Sequence, residues 1–255
     1  MLGIMGEMPL ALLALATIIA LFAGFVKGAV GFALPMILIS GTGSFLPADW
    51  ALAGLILPTL ASNLVQGLGG GWREAWGVVV RFRVYIVTLL AVLAVAAQLV
   101  AFVPEAVLFV LIGLPVTAFA LTQIAGWTLH LDGARRLYEV VIGIIAGLMS
   151  GFSGTWGPPT VMYLTAIGTE KRAAMRAQGV IYLLGSVMLL AAHLRSGILD
   201  RETAPWSLWL ILPVFIGMWV GGKAHDRMDQ ARFRQMMLWV LLVAGLNLIR
   251  RGVFG

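Results

Sequence analysis

The chain contains no cysteine. That absence excludes a disulfide framework, a thiolate metal site and a redox dithiol. Charge is scarce as well: Asp, Glu, Lys and Arg make up 11% of the sequence, against roughly 25% in an ordinary soluble domain. So few ionisable groups cannot cover the surface of a 27.3 kDa globule. A soluble enzyme, a nucleic-acid-binding domain and a disordered tail are all excluded on this count. No polar stretch is longer than about a dozen residues, so no soluble domain is hidden between the apolar runs. Met1–Glu7 carries neither Lys nor Arg, which removes the basic leader of a cleaved signal peptide. The first apolar run is therefore expected to stay in the mature protein.

Motifs for chemistry are missing too. His130, His193 and His225 are scattered without metal-binding spacing. GLGGGW at 67–72 follows no strand and lacks the spacing of a dinucleotide loop. GFSG at 151–154 is not a nucleophile elbow, and no ATP-binding GxxxxGK[ST] loop occurs. The expectation is no enzyme, no cofactor and no metal. The net charge of +6 sits in short clusters beside apolar runs, the mark of cytoplasmic loops and not of a nucleic-acid partner.

What is present is hydrophobicity: 61% of residues are apolar and the mean hydropathy is +1.00. Apolar runs cover about 9–26, 29–46, 48–66, 84–100, 106–124, 137–150, 155–167, 173–194, 206–220 and 236–249. They are continuous, whereas barrel strands alternate, so an all-α polytopic membrane protein is expected. The first two runs are separated only by Lys27 and Gly28, and the sixth and seventh only by 151–154. Trp50, Trp72, Trp76, Trp127, Trp206 and Trp209 lie near run ends, as interfacial belt residues do.

The two tight pairs resemble each other. Ala23, Gly24, Gly28, Gly31 and Pro35 recur 123 positions later as Ala146, Gly147, Gly151, Gly154 and Pro158. Three further apolar segments follow each copy. One transmembrane unit over 1–255 is expected, with repeat one at about 9–126 and repeat two at about 137–251. Each repeat is a Gly-rich broken-helix hairpin plus three spanning helices.

Charge then orients the halves. If each hairpin enters and returns, one side receives Arg73, Arg81, Arg83, Arg135, Arg136, Lys171, Arg172, Arg176, Lys223, Arg227, Arg232 and Arg234. The other receives Arg195, Arg201, Arg250 and Arg251. A single crossing per hairpin gives nearly even counts, which the positive-inside rule disfavours. The repeats are therefore expected to be inverted, with both termini outside.

Lys27 is the one ionisable side chain between Glu7 and Asp49, and a charge at membrane depth is costly. With Gly28 and Gly31 it forms a candidate anion site, where close backbone approach and a helix start would add N–H donors. The competing reading has Lys27 snorkelling from a turn at the interface. In the second hairpin Ser150, Gly151, Ser153, Gly154, Thr155 and Trp156 offer hydroxyls, bare backbone and an apolar wall. The competing reading there is close helix packing through small residues. Asn63 within the third run, with Ser186 at its repeat position, either lines a polar path or glues helices together. Arg176 is a candidate anion contact at a mouth, or simply an interface arginine.

AGFVKGAVGFALP at 23–35, GLMSGFSGTWGPPTVMYL at 147–164 and the segment 216–252 resemble the TauE/SafE family of membrane transporters, also called the sulfite exporter family. The resemblance spans nearly the whole chain. Where many members carry GxGGG-like turns, this chain has GAVGFALP and GTWGPP. The resemblance implies a multi-pass protein of a bacterial inner membrane. Its expected partners are lipid and a small anion such as sulfite or an organosulfonate, with a coupling proton and a homodimer as further expectations. A carrier working by alternating access is the leading expectation, and an anion channel of the same architecture is the alternative.

Overall fold

The computed structural model describes residues 9–127, 135–224 and 230–254. The segment Met1–Glu7, His130, His225 and Arg227 lie outside them. Eleven α-helices and no strand occur among the described residues. The first half holds α1 (Leu10–Val30), α2 (Leu34–Thr42), α3 (Ala48–Leu68), α4 (Trp72–Arg81), α5 (Arg83–Leu99) and α6 (Glu105–Ile124). The second holds α7 (Arg135–Ser153), α8 (Gly157–Ala166), α9 (Lys171–Ser196), α10 (Ala204–Ala224) and α11 (Gln230–Phe254). Seven of them (α1, α3, α5, α6, α7, α9 and α10) are long and apolar enough to cross a bilayer. Val95, Leu114, Leu212 and Val243 are more than half exposed on the outside of the bundle, as expected of surface whose solvent is lipid.

The first break lies later than the residue pattern suggests, and the second lies at the far end of the 151–154 stretch. Lys27 and Gly28 are not the first turn; they belong to α1, which runs on to Val30. Ser150 and Gly151 likewise lie inside α7. A glycine inside a helix costs only about 1 kcal/mol, so the helix continues until a residue must leave the right-handed region. Those residues are Gly31 (φ +84°) and Gly154 (φ +64°), the left-handed positions at which helices commonly end. Gly31 N–H donates to Lys27 O at 2.7 Å, and Gly154 N–H to Ser150 O at 2.8 Å. The 123-residue offset therefore holds at the level of hydrogen bonds.

The packing pattern survives exchange of the halves. Helix α1 packs along α10, and α7 along α5; α3 meets α9, and α6 meets α11. Further contacts of α3 with α10 match those of α9 with α5. Such exchange is consistent with inverted repeats. The closest crossings use glycine: a Cβ on Gly24 would lie 2.1 Å from Val214 O, and one on Gly217 2.0 Å from Leu21 O. Small residues let membrane helices approach this closely.

Helix α4 has no counterpart among the described residues of the second half and falls in no apolar run. It is short and amphipathic, with Trp72 and Trp76 exposed, and it fits a membrane interface better than a span. Two tryptophans depart from the expected belt. Trp50 and Trp206 are buried, and Trp206 Nε1 donates to Trp50 O at 3.1 Å. The reason is Pro58, which has no N–H and so frees the carbonyl one turn earlier. Ser207 on α10 donates to that carbonyl, Gly54 O, at 3.4 Å and accepts from Leu57 N–H at 3.1 Å. These bonds hold the start of α10 against α3, where both indoles are buried.

Candidate functional site

The two breaks meet at one small cavity, lined by Lys27, Asn63, Thr155, Trp156, Tyr182 and residues of the first turn of α2. Its volume is about 20 Å³ for the centre of a water-sized sphere, room for one water. The starts of α2 and α8 face it, through Phe32, Ala33, Pro35 and Met36 on one side and Gly157 on the other. Each helix has proline in its first turn, where the missing N–H removes a donor that would have no intrahelical partner. The remaining free N–H groups and the positive dipole ends of two helices favour an anion between them.

Lys27 supplies the charge. Its side chain is 4% exposed. Nζ donates to Asn63 Oδ1 at 2.5 Å and Gln66 Oε1 at 2.8 Å, and lies 5.8 Å from the centre of the Tyr182 ring. Both hydrogen-bond partners are neutral amides. They take two of the ammonium's three donors and leave its charge uncompensated, and a buried cation in that condition attracts a counter-ion strongly. Asn63 is oriented by its other end, since Nδ2 donates to Tyr182 O at 3.1 Å.

The apolar wall comes from the second half. The Trp156 indole is buried and lies over the bare backbone of Gly185, where a Cβ would sit 3.0 Å away. Its ring meets Tyr182 edge-on at 6.3 Å. Tyr182 Oη donates to Gly157 O at 3.4 Å, which ties α9 to the start of α8. Ser153 Oγ and Thr155 Oγ1 are hydrogen-bonded to each other at 2.5 Å.

Backbone conformation marks the same place. Ala33 has φ +75° and is the only described non-glycine residue with positive φ. Strain of this kind costs about 1–3 kcal/mol and tends to sit at functional sites.

The residues named from sequence divide into three groups. Lys27, Asn63, Thr155 and Trp156 line the cavity. Gly31 and Gly154 form the breaks, and Ser153 backs Thr155. Gly28, Ser150, Gly151 and Arg176 are not brought to the cavity. Gly28 meets Met218 O and Gly151 meets Ala96, so both glycines serve helix contact. Ser150 Oγ donates back to Ala146 O within its own helix. Arg176 pairs with Glu74 at 3.2 Å in an exposed position. Sequence reasoning missed Gln66 and Tyr182. Gln66 had a usable signal, because it follows Asn63 by three positions and so shares its helix face. Tyr182 had none, since its role depends on the crossing of α3 and α9.

The chain thus sets two helix breaks around one buried cation. A sequence profile described as Sulfite exporter TauE/SafE matches residues 16–248. The chain belongs to the TauE/SafE family. Both breaks, Lys27 and every cavity-lining residue fall inside the matched range. No curated protein and no solved structure gave a significant match. A multi-pass membrane protein of a transport family, acting on a small anion, follows from this membership and from the apolar helices.

Proposed function

We propose that the protein is a secondary transporter that exports a small anion across a bacterial inner membrane. Sulfite, an organosulfonate such as sulfoacetate, or a related organic anion is the cargo. The observation that carries this reading is Lys27, buried with two neutral amide partners at the meeting point of two helix starts. An oxyanion placed there would gain the ammonium, free backbone N–H groups and the Thr155 hydroxyl, against the wall of Trp156. Family membership supports the anion class.

The carrier reading is preferred over a channel because the cavity holds about one water, which fits a closed site that must widen to admit the anion and not an open pore. Inverted halves would rock about the breaks at Gly31 and Gly154 to expose the site to each side in turn. Both termini lie outside in this scheme. Coupling uses a proton or the membrane potential, the latter worth about 2.3 kcal/mol per charge per 100 mV.

The test is reconstitution of the purified protein in liposomes, with flux of sulfite, sulfoacetate and a simple carboxylate followed separately. Saturable flux with counter-transport is the expected result. Unsaturable conductance would replace the carrier by a channel, and absence of flux for every anion would overturn the reading.

A further inference from the structure

The polar path continues past Lys27. Gln66, which accepts from Lys27 Nζ, also lines a second cavity of about 20 Å³ with Gly67, Gly70, Glu74, Ala75 and Arg176. Glu74 and Arg176 in turn line an outer cleft of about 270 Å³, together with Arg81 and Thr169. Three spaces therefore lie in series, and a side-chain oxygen occupies a cation at each boundary. Gln66 Oε1 sits on Lys27 at 2.8 Å, and Glu74 Oε1 on Arg176 at 3.2 Å.

We propose that this series is an access route for the anion and that Glu74 is its outer gate, its carboxylate holding Arg176 in place of the cargo. The inference rests on the anion-transport reading above. An arginine fork binds a carboxylate and a small oxyanion through the same hydrogen bonds, so an arriving anion competes directly with Glu74. Both side chains of the pair are about half exposed, 59% for Arg176 and 46% for Glu74. An ion pair in that setting is weak and opens readily. Displaced from Arg176, Glu74 leaves Gln66 as the inner boundary before Lys27.

The local fold is arranged to present Glu74. It stands in the first turn of α4, the helix without a counterpart among the described residues of the second half. The turn from α3 into α4 includes Gly70, and a Cβ there would lie 2.4 Å from Glu74 Oε2. The docked carboxylate thus rests where any other residue would carry a side chain. Substituting Gly70 should move the gate without altering charge.

Because the chain has no cysteine, a single introduced thiol reports access cleanly. Ala75→Cys places one on the wall of the second cavity, and Val78→Cys is a second reporter on the same wall. Proteoliposomes are treated with a membrane-impermeant sulfonated methanethiosulfonate. Glu74→Gln and Gly70→Ala should each speed labelling about two- to fivefold, the range expected for removing an exposed ion pair. Sulfoacetate in the bath, an anion that does not consume the reagent, should slow the labelling again. In parallel, Glu74→Gln should lower KM for sulfite with kcat little changed, and Arg176→Gln should raise KM. Sulfite flux intact, with labelling and KM unchanged in both gate variants, would overturn the gate. Absence of flux in the unmodified protein would overturn the transport reading itself.

Discussion

The two helix breaks are the same device built twice, and only one of them carries a charge. Gly31 and Gly154 both take left-handed φ, and both cap the residue four positions earlier, Lys27 in one case and Ser150 in the other. Beyond that the copies diverge. The Lys27 side chain reaches into the cavity, whereas the Ser150 hydroxyl turns back to its own helix. The first break adds a strained Ala33, and the second, at the equivalent position, a buried Trp156 with ordinary φ. Repetition therefore supplies the geometry, two helix starts facing one space. Divergence supplies the chemistry, a cation from one half and an apolar wall from the other. A symmetric pair of lysines would place like charges in a cavity with room for one water, a strongly unfavourable arrangement.

This contrast can be broken most severely at its charged end. Lys27→Met should reduce anion flux at least about 100-fold, since losing one partner of a buried charge contact costs about 3–5 kcal/mol. The variant should still insert and fold, because removing a buried cation relieves desolvation; flux within a few-fold of normal would refute the role given to Lys27. The strained wall comes next. Ala33→Val should destabilise by about 1–3 kcal/mol, since a β-branched residue resists positive φ. Ala33→Gly should leave stability equal or raised, and thermal unfolding in detergent compares the pair. Ser150→Ala, at the repeat position of Lys27, should change flux little and stability by less than about 1 kcal/mol, because it removes one intrahelical hydroxyl bond. A loss of flux as large as that of Lys27→Met would show that the second copy also works chemically.

The smallest effect lies outside the membrane, at the loop that starts α10. Asp200 accepts N–H groups of Glu202 and Thr203 at 2.8 and 2.9 Å, and these bonds, Thr203 first, hold its carboxyl below the ordinary value. A depressed carboxyl contributes stability that is present above its unfolded pKa of about 3.9 and lost as pH falls through the folded one. The contribution is small because the group is almost fully solvated. Asp200→Asn should therefore flatten a slight acid-side decline in thermal stability and leave neutral pH nearly unchanged. An identical acid profile in both proteins would remove this account.

Much of the architecture was legible in the residues. Continuous apolar runs separated by basic clusters identify membrane helices, because a helix that satisfies its own backbone is stable in lipid without partners. The recurrence of AGxxxGxxG with its following proline marked both breaks to within a few positions. The pattern erred in placing the first turn at Lys27 and Gly28, since Gly28 and Gly151 serve helix contact and Gly31 and Gly154 serve the turn. Glycine letters do not distinguish the two uses; φ and the neighbour across the crossing do. Helix α4 escaped notice because ten residues with charges at their start and end fall below any spanning criterion. Trp50 and Trp206 were misplaced because the contact near Pro58 that buries them is a property of two helices together.

The sequence by itself determined that this is an all-helical membrane protein with a duplicated broken-helix motif and one lysine left in an apolar hairpin. Those features are local, set by hydropathy, chain turns and charge placement. The tertiary structure decided what surrounds that lysine. Asn63 and Gln66 come from α3, Tyr182 from α9 and Trp156 from the other repeat, and only helix crossing brings them together. It also placed Arg176 on Glu74 and away from the central cavity. The reason is physical: in lipid each helix forms on its own terms, but which polar side chains face one another depends on how closely the helices can approach.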